Sequence, residues 1–248
     1  KPFCLLYGLD QPQVPRGANE RFAGKSGMGP RGDVILEAEW CVTEFLNELD
    51  KLGLTENTLE ILTSDNGPVL DDGYQDQAEE LVGTHQMAGP LRGGKTSLYN
   101  GGTCIPFLFR WPAAVNQGIS DALICQMDLL ASLASLTDQT YTDRTDSQNT
   151  LAVFLGKSDQ GREELVIEGM NNYAFRQGDW VMIPPYPTRG RSYENDDFAG
   201  LGLCYQLYNI KEDIGQQKNL AEKEPQRLRQ MMIAFEKLTR ETGKKTDY

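Results

Sequence analysis

The sequence predicts an α/β fold that gives way, after residue 157, to a small α+β subdomain. Three observations carry this. Over residues 1–157, short apolar strand patterns alternate with helical ones. Over residues 158–248, four short strands follow one another around tight turns, and one charged helix closes the chain. The 248 residues are 39% hydrophobic and 24% charged, enough for a large domain and a small one to bury cores, and unlike a disordered or membrane-embedded chain.

Lys1–Gly8 reads as a buried strand that starts almost at once, without an initiator Met or a signal segment, so the chain reads as part of something longer. A Pro/Gly-rich loop runs from Leu9 to about Pro30. A helix is predicted over Asp33–Leu52, where Val34, Ala38, Cys41, Phe45, Leu49 and Leu52 recur at three- or four-residue spacing, with Gly53 as its stop. Thr58–Thr63 is a strand, and the polar, glycine-rich stretch from Pro68 to Gly102 is long enough to be a functional loop. Cys104–Trp111 is a strand ended by Pro112. A helix is expected from Ser120 or Asp121 to Leu136, then a turn-rich stretch over Thr137–Gln148 and a short helix over Leu151–Leu155. The boundary falls near Gly156–Gly161. Beyond it come strands at Glu164–Gly169, Tyr173–Arg176, Trp180–Ile183 and Cys204–Asn209, and a helix from Pro225 to about Thr242.

A net charge of −12 argues against a nucleic-acid partner, which is normally held by basic patches, but leaves room for an anionic small substrate in a local pocket. No apolar run approaches the roughly 18 residues of a membrane span. The five cysteines are odd in number, widely spaced and without a CxxC pair, so neither a zinc ribbon nor a disulfide framework is indicated; they read as small buried hydrophobes. A single histidine, His85, rules out a His-rich metal site within this sequence.

Two motifs carry chemistry. Ser64-Asp65-Asn66-Gly67 ends a predicted strand, where α/β sheets gather ligands, and its Asp and Asn offer hard oxygens to calcium or magnesium. The same residues make a good turn, and that reading stands beside the first. Leu91-Arg92-Gly93-Gly94-Lys95, followed by Tyr99-Asn100-Gly101-Gly102-Thr103, lets backbone approach a ligand closely and places a compact cation near it; a flexible loop with a solvated lysine is the alternative.

Taken together, in this order and spacing, the motifs resemble the sulfatase family, the formylglycine-dependent arylsulfatase-like enzymes of the alkaline phosphatase superfamily. The resemblance takes in Lys1–Gly8, Leu49–Leu54, Thr58–Pro68, Gly89–Lys95, Ile105–Pro112, Leu207–Asp213 and Lys218–Ala221. It implies part of an alkaline-phosphatase-like mixed sheet with flanking helices over residues 1–157, and a C-terminal subdomain with an antiparallel sheet and a terminal helix over 158–248. It also implies that Asp65 and Asn66 are metal ligands, usually for Ca2+ with Mg2+ as the alternative, and that Lys95 is the catalytic lysine that contacts the sulfate ester. His85 lies in the loop that approaches the sugar in carbohydrate-active members. Gln13, and less regularly Asp10, stand at substrate-binding positions where the family carries histidines.

The departures matter as much. Gln13 can donate a hydrogen bond but cannot act as acid or base. Asn100 and Cys104 replace a glutamate and an arginine. Ile214 and Gln216 replace a proline and a glutamate, a change expected to affect only a turn. The Cys/Ser-x-Pro-x-Arg motif that yields the formylglycine nucleophile is missing: Cys104-Ile105-Pro106 comes nearest, but Leu108 stands where arginine is required. The resemblance therefore implies a chain inactive alone, with the nucleophile and the paired aspartates in an N-terminal half of the same sulfatase. The full-length form would be periplasmic or extracellular and would act on sulfated carbohydrate or aryl sulfate esters. A non-catalytic relative that binds sulfated glycans, and another superfamily member such as a phosphodiesterase, are the alternatives.

Overall fold

The computed structural model describes residues 1–142, 146–169, 172–186 and 199–241. Its helices are α1 (Gly29–Lys51), α2 (Ala78–Leu81), α3 (Asn100–Thr103), α4 (Asp128–Leu136), α5 (Leu151–Phe154) and α6 (Pro225–Glu241). Its strands are β1 (Glu60–Thr63), β2 (Phe107–Arg110), β3 (Glu164–Gly169), β4 (Asn172–Gln177), β5 (Trp180–Ile183) and β6 (Gln206–Asn209). Part of the predicted turn-rich stretch, residues 143–145, and the predicted helix end at Thr242 lie outside the described residues. Two compact units are present: Lys1–Thr58 with Val69–Met87, and Leu59–Pro68 with Ala88–Tyr248.

In the first unit, α1 begins at Gly29, earlier than its apolar stripe, because Pro30 suits a first turn whose N–H groups have no helical partner. No side chain caps Met28. Instead the Asp33 carboxylate accepts from Gly24 N (2.7 Å) and Ser26 N (2.9 Å), and Ser26 Oγ accepts from Met28 N. Burial pushes the Asp33 carboxyl up, but the N–H groups of Ser26 and Gly24 outweigh it and hold it below the usual range. At the other end Gly53, at φ 65°, donates to Asp50 O and Leu54 donates to Leu49 O, the paired bonds of a glycine-terminated helix.

Lys1–Gly8 is not a strand. Phe3, Leu5 and Tyr7 are more than half exposed and Leu6 is 94% exposed. Among the described residues no neighbouring strand bonds to this segment, and a strand exists only through such pairing. Tyr7 instead meets Phe45 of α1, their ring centroids 6.1 Å apart.

In the second unit, β1 and β2 pair antiparallel, Ile61 opposite Phe109 and Thr63 opposite Phe107. Phe109 stacks on Phe154 of α5 at 4.5 Å. Helix α4 starts eight positions after Ser120, at a buried Asp128 held by long-range bonds that its local sequence does not reveal. Strands β3 to β6 form an antiparallel meander in chain order. One face packs Phe175, Met182 and Leu207 against Met231 and Phe235 of α6. The other packs Ala174, Val181, Ile183 and Tyr208 against Leu98 and Tyr99. Coverage on both faces explains why β5 is apolar throughout.

The thiols are not the buried hydrophobes expected. Cys4, Cys104 and Cys204 are exposed, Cys41 and Cys125 half-buried, and all are free. Cys104 follows α3 and Cys204 lies in the loop before β6, so neither side chain enters a core.

Candidate functional site

Strand β1 delivers the chain into Ser64-Asp65-Asn66-Gly67. Gln126 Nε2 donates to Ser64 O (2.8 Å) and fixes the strand end. Asp65 Oδ1 accepts from Asn66 N (2.9 Å), and Asn66 Nδ2 donates to Gly67 O (2.8 Å). The turn reading and the ligand reading are thus compatible: these bonds use one Asp65 oxygen and the Asn66 amide nitrogen, leaving Asp65 Oδ2 and Asn66 Oδ1 to a cation. Both are the hard oxygens calcium prefers, so the pair fits such an ion as part of a larger ligand set. Among the described residues, no group of three or more His, Cys, Asp or Glu is placed to hold a metal.

The Lys95 loop lies directly against this turn. Gly67 N donates to Gly102 O (2.9 Å) and Lys95 N donates to Pro68 O (2.9 Å). A Cβ on Gly67 would overlap the Gly101 carbonyl oxygen, and one on Gly101 would overlap the carbonyl oxygens of Arg92 and Gly93. The glycines are there because three backbone segments touch. Thr96, next to Lys95, holds φ 73°, a left-handed conformation uncommon for a β-branched residue and worth about 1–3 kcal/mol of strain. Ser97, Leu98 and Tyr99 are then buried against the meander, so the half-buried Lys95 sits on a loop with an anchored end.

The other sequence-predicted residues lie in the first unit. Asp10 and Gln13 share a turn in which Gln13 N donates to Asp10 O (2.9 Å), and both side chains are exposed. Gln13 Nε2 donates to Asp72 Oδ2 (3.0 Å). Beneath them Arg16 is buried. It pairs with Asp76 (2.9 Å) and donates to Pro12 O and Leu70 O, stapling the Gln13 turn to the loop that carries Asp72. His85 is exposed and is held by a backbone bond from its N to Val82 O (3.3 Å). No bond joins it to Gln13 or Asp10 among the described residues.

Sequence reasoning missed Arg16, Asp72 and Asp76, whose bonds span 50 residues or more and leave no local signal. It also missed Arg31, 6% exposed and, among the described residues, without a bond at Nε, whose guanidinium pKa is lowered by burial and then by neighbouring Arg16. Gln216 does more than turn the chain. It is fully buried, and its Oε1 accepts from Asn100 N (2.7 Å).

The sulfatase family profile matches residues 1–139. The chain is 44% identical, over 95% of its length, to an N-acetylgalactosamine-6-O-sulfatase of Bacteroides thetaiotaomicron, of which it spans 47%. It is 32% identical to human arylsulfatase A over 89% of its length, spanning 44% of that protein. The chain thus spans about half the length of the curated relatives it matches. A solved 6S-sulfatase of Bacteroides thetaiotaomicron, from work on glycosaminoglycan metabolism, superposes with a TM-score of 0.88 at 43% identity, covering 93% of this chain and 49% of its own. A sulfatase from Pseudoalteromonas sp. has the same fold at 21% identity, with a TM-score of 0.67 over 88% of this chain and 44% of its own. These neighbours bear out the α/β class with its antiparallel C-terminal sheet. Motifs, fold and relatives agree, and the chain belongs to the sulfatase family.

Proposed function

We propose that this chain is the C-terminal portion of a sulfuric ester hydrolase acting on sulfated carbohydrate, completed by an N-terminal half of the same sulfatase that carries the formylglycine. The observation that carries the reading is the joining of the Asp65-Asn66 turn to the Lys95 loop by two backbone hydrogen bonds, Gly67 to Gly102 and Lys95 to Pro68. Residues 1–157 are read as the end of the α/β domain and 158–248 as the small subdomain. The full-length form is assigned to the periplasm or the extracellular space; among the described residues, no helix is long and apolar enough to cross a membrane.

In this reading Lys95 holds the sulfate ester and stabilises negative charge on the departing oxygen. Asp65 and Asn66 supply two ligands to a calcium ion, which when bound draws off part of the sulfate charge. Gln13 donates one hydrogen bond to the sulfate or sugar, and it can take over none of the proton transfer a histidine would perform. Asp10 and His85 are carried over from the family pattern as substrate-binding positions, His85 in the loop that approaches the sugar in carbohydrate-active members. The 44% identical relative, named for 6-O-sulfated N-acetylgalactosamine, supports that sugar as the substrate.

The test pairs this chain with the N-terminal half of that relative and measures sulfate released from N-acetylgalactosamine 6-sulfate. Release abolished by Lys95→Ala is the expected result. Formylglycine confirmed by mass spectrometry, tight sugar binding and no release would instead favour a glycan-binding relative, the reading suggested by Gln13, Asn100 and Cys104.

A further inference from the structure

We infer that Gln216 is a positioning residue for the Lys95 loop, holding both ends of that loop at once. The inference rests on the sulfate-ester reading only in what Lys95 is for; the geometry stands without it. Gln216 is 0% exposed and takes φ 48°, a conformation that an L residue adopts only where its surroundings demand it. Its side-chain Oε1 accepts from the backbone N of Asn100 (2.7 Å), the first residue of α3. Its backbone carbonyl accepts from Arg92 Nη1 (2.9 Å). Asn100 and Arg92 flank Lys95 in sequence, and they are tied to each other as well, because Gly101 N donates to Arg92 O (2.7 Å). Arg92 also lies over the Tyr99 ring, 4.1 Å from its centroid.

From this clamp the constraint runs to the candidate cation ligands. Fixing Asn100 fixes Gly101 and Gly102, and Gly102 O receives Gly67 N, one residue after Asn66. Fixing Arg92 fixes the start of Gly93-Gly94-Lys95, whose Lys95 N reaches Pro68 O. One buried residue therefore holds the Lys95 loop at two points, through its side-chain oxygen at Asn100 and its main-chain carbonyl at Arg92. Leu98 and Tyr99 anchor the loop in the core, and Gln216 adds the restraint at the two glycine pairs, Gly93-Gly94 and Gly101-Gly102, where the backbone is least constrained.

The other half of the Gln216 amide is an anomaly that sharpens the test. Among the described residues its buried Nε2 has no hydrogen-bond partner, so the side-chain contact to the loop is made by the acceptor oxygen. A side chain of the same size with oxygen in place of nitrogen should keep the clamp, and one of similar size with no acceptor should lose it.

Amide hydrogen exchange on the folded chain reads this directly, without any sulfate ester, so its outcome is separate from that of the sulfatase reading. In Gln216→Met, the amides of Asn100, Lys95 and Gly67 are expected to exchange about tenfold faster, while those of Phe175 and Met182 in the meander keep their protection. Gln216→Glu should restore protection at Asn100 and Lys95 at neutral pH, and should return the Lys95 side-chain NMR resonances to their original positions. If Lys95 and Gly67 keep their protection in folded Gln216→Met, or if meander and loop amides loosen together, the inference is overturned. Failure of Gln216→Glu to protect Asn100 overturns it as well, and does so even if Gln216→Met does not fold.

Discussion

The guanidinium of Arg162 lies against both carboxylate oxygens of Asp128, 34 residues earlier, with the two side chains 5% and 0% exposed. Nε donates to Oδ1 (3.0 Å) and Oδ2 (2.9 Å), and Nη2 reaches Oδ1 and the carbonyl of Asp146. The carboxylate also accepts from Cys125 N (3.1 Å) and Gln148 N (3.0 Å), gathering three loops at the start of α4. Removing one partner leaves a buried charge alone. Arg162→Met should therefore destabilise the chain by about 3–5 kcal/mol, measured by urea unfolding. By contrast Arg240→Ala, which breaks an exposed pair with Glu236, should cost about 0.5 kcal/mol or less.

The same site predicts a pH dependence. Burial pushes the Asp128 carboxyl up, but the Arg162 bonds and the Gln148 and Cys125 N–H groups outweigh it, so the folded pKa lies below the usual carboxylate value. A depressed carboxylate contributes its full stability above the unfolded value, about 3.9, and loses it as pH falls through the folded value. Asp33 has the same sign. Urea midpoints should accordingly fall on acidification below about pH 4, and Asp128→Asn should be less stable at neutral pH yet show a shallower acid slope. An unchanged slope would remove Asp128 from the account.

Which parts of the fold were legible follows from the range of the interactions. The α1 stripe, its Gly53 stop and the turn-separated strands of the meander are local patterns, and they read correctly. The start of α4 did not, because Asp128 is held by Arg162 and Gln148 rather than by helical periodicity. Lys1–Gly8 has strand composition, but composition cannot supply a pairing neighbour. In the site, Asp65, Asn66 and Lys95 are candidates through the family resemblance, since their own motifs read equally well as an ordinary turn and a loop with a solvated lysine. Gln216 could not, since its bond to Asn100 crosses 116 residues.

Close backbone contact makes Gly67 a sensitive position. Gly67→Ala would drive a methyl group into the Gly101 carbonyl oxygen, with backbone rather than a flexible side chain as the obstacle. The expected cost is about 1–3 kcal/mol or more, together with loss of protection at the Lys95 amide. Gly118→Ala, where the space around the new methyl is open, serves as the control in the same unfolding assay.

Calcium binding by this chain alone should be weak. Asp65 and Asn66 provide two oxygens where the ion takes roughly six to eight. Calorimetry should give a dissociation constant no tighter than about 0.1–1 mM, the weak end of calcium sites, because affinity falls with the number of charged ligands. Submicromolar affinity abolished by Asp65→Ala would mean that further carboxylates complete the site within this chain.

Gln13 already points its amide donor at Asp72 Oδ2, 3.0 Å away. An imidazole placed there by Gln13→His would meet the same carboxylate, and an opposite charge at hydrogen-bond distance favours the protonated ring. Its pKa should rise above the unperturbed value of about 6.5, which a proton NMR titration of this chain can follow, with His85 as a second imidazole in the same spectrum. The linkage has a definite sign. A raised folded pKa adds stability that is fully present below about 6.5 and is lost as pH climbs through the folded value, so Gln13→His should gain stability over the parent in acid and not in alkali. Adding Asp72→Asn should bring the pKa back down; if it does not, the Asp72 carboxylate is not what faces position 13. In the proposed enzyme completed by an N-terminal half, the same substitution supplies a group that can move a proton, where the amide can only donate a hydrogen bond. General acid–base help is worth about 10² to 10⁴ in rate, so the turnover number should rise more than the Michaelis constant falls. No gain in turnover from an assembled enzyme with its formylglycine intact would show that proton transfer is supplied elsewhere and that Gln13 only shapes the loop.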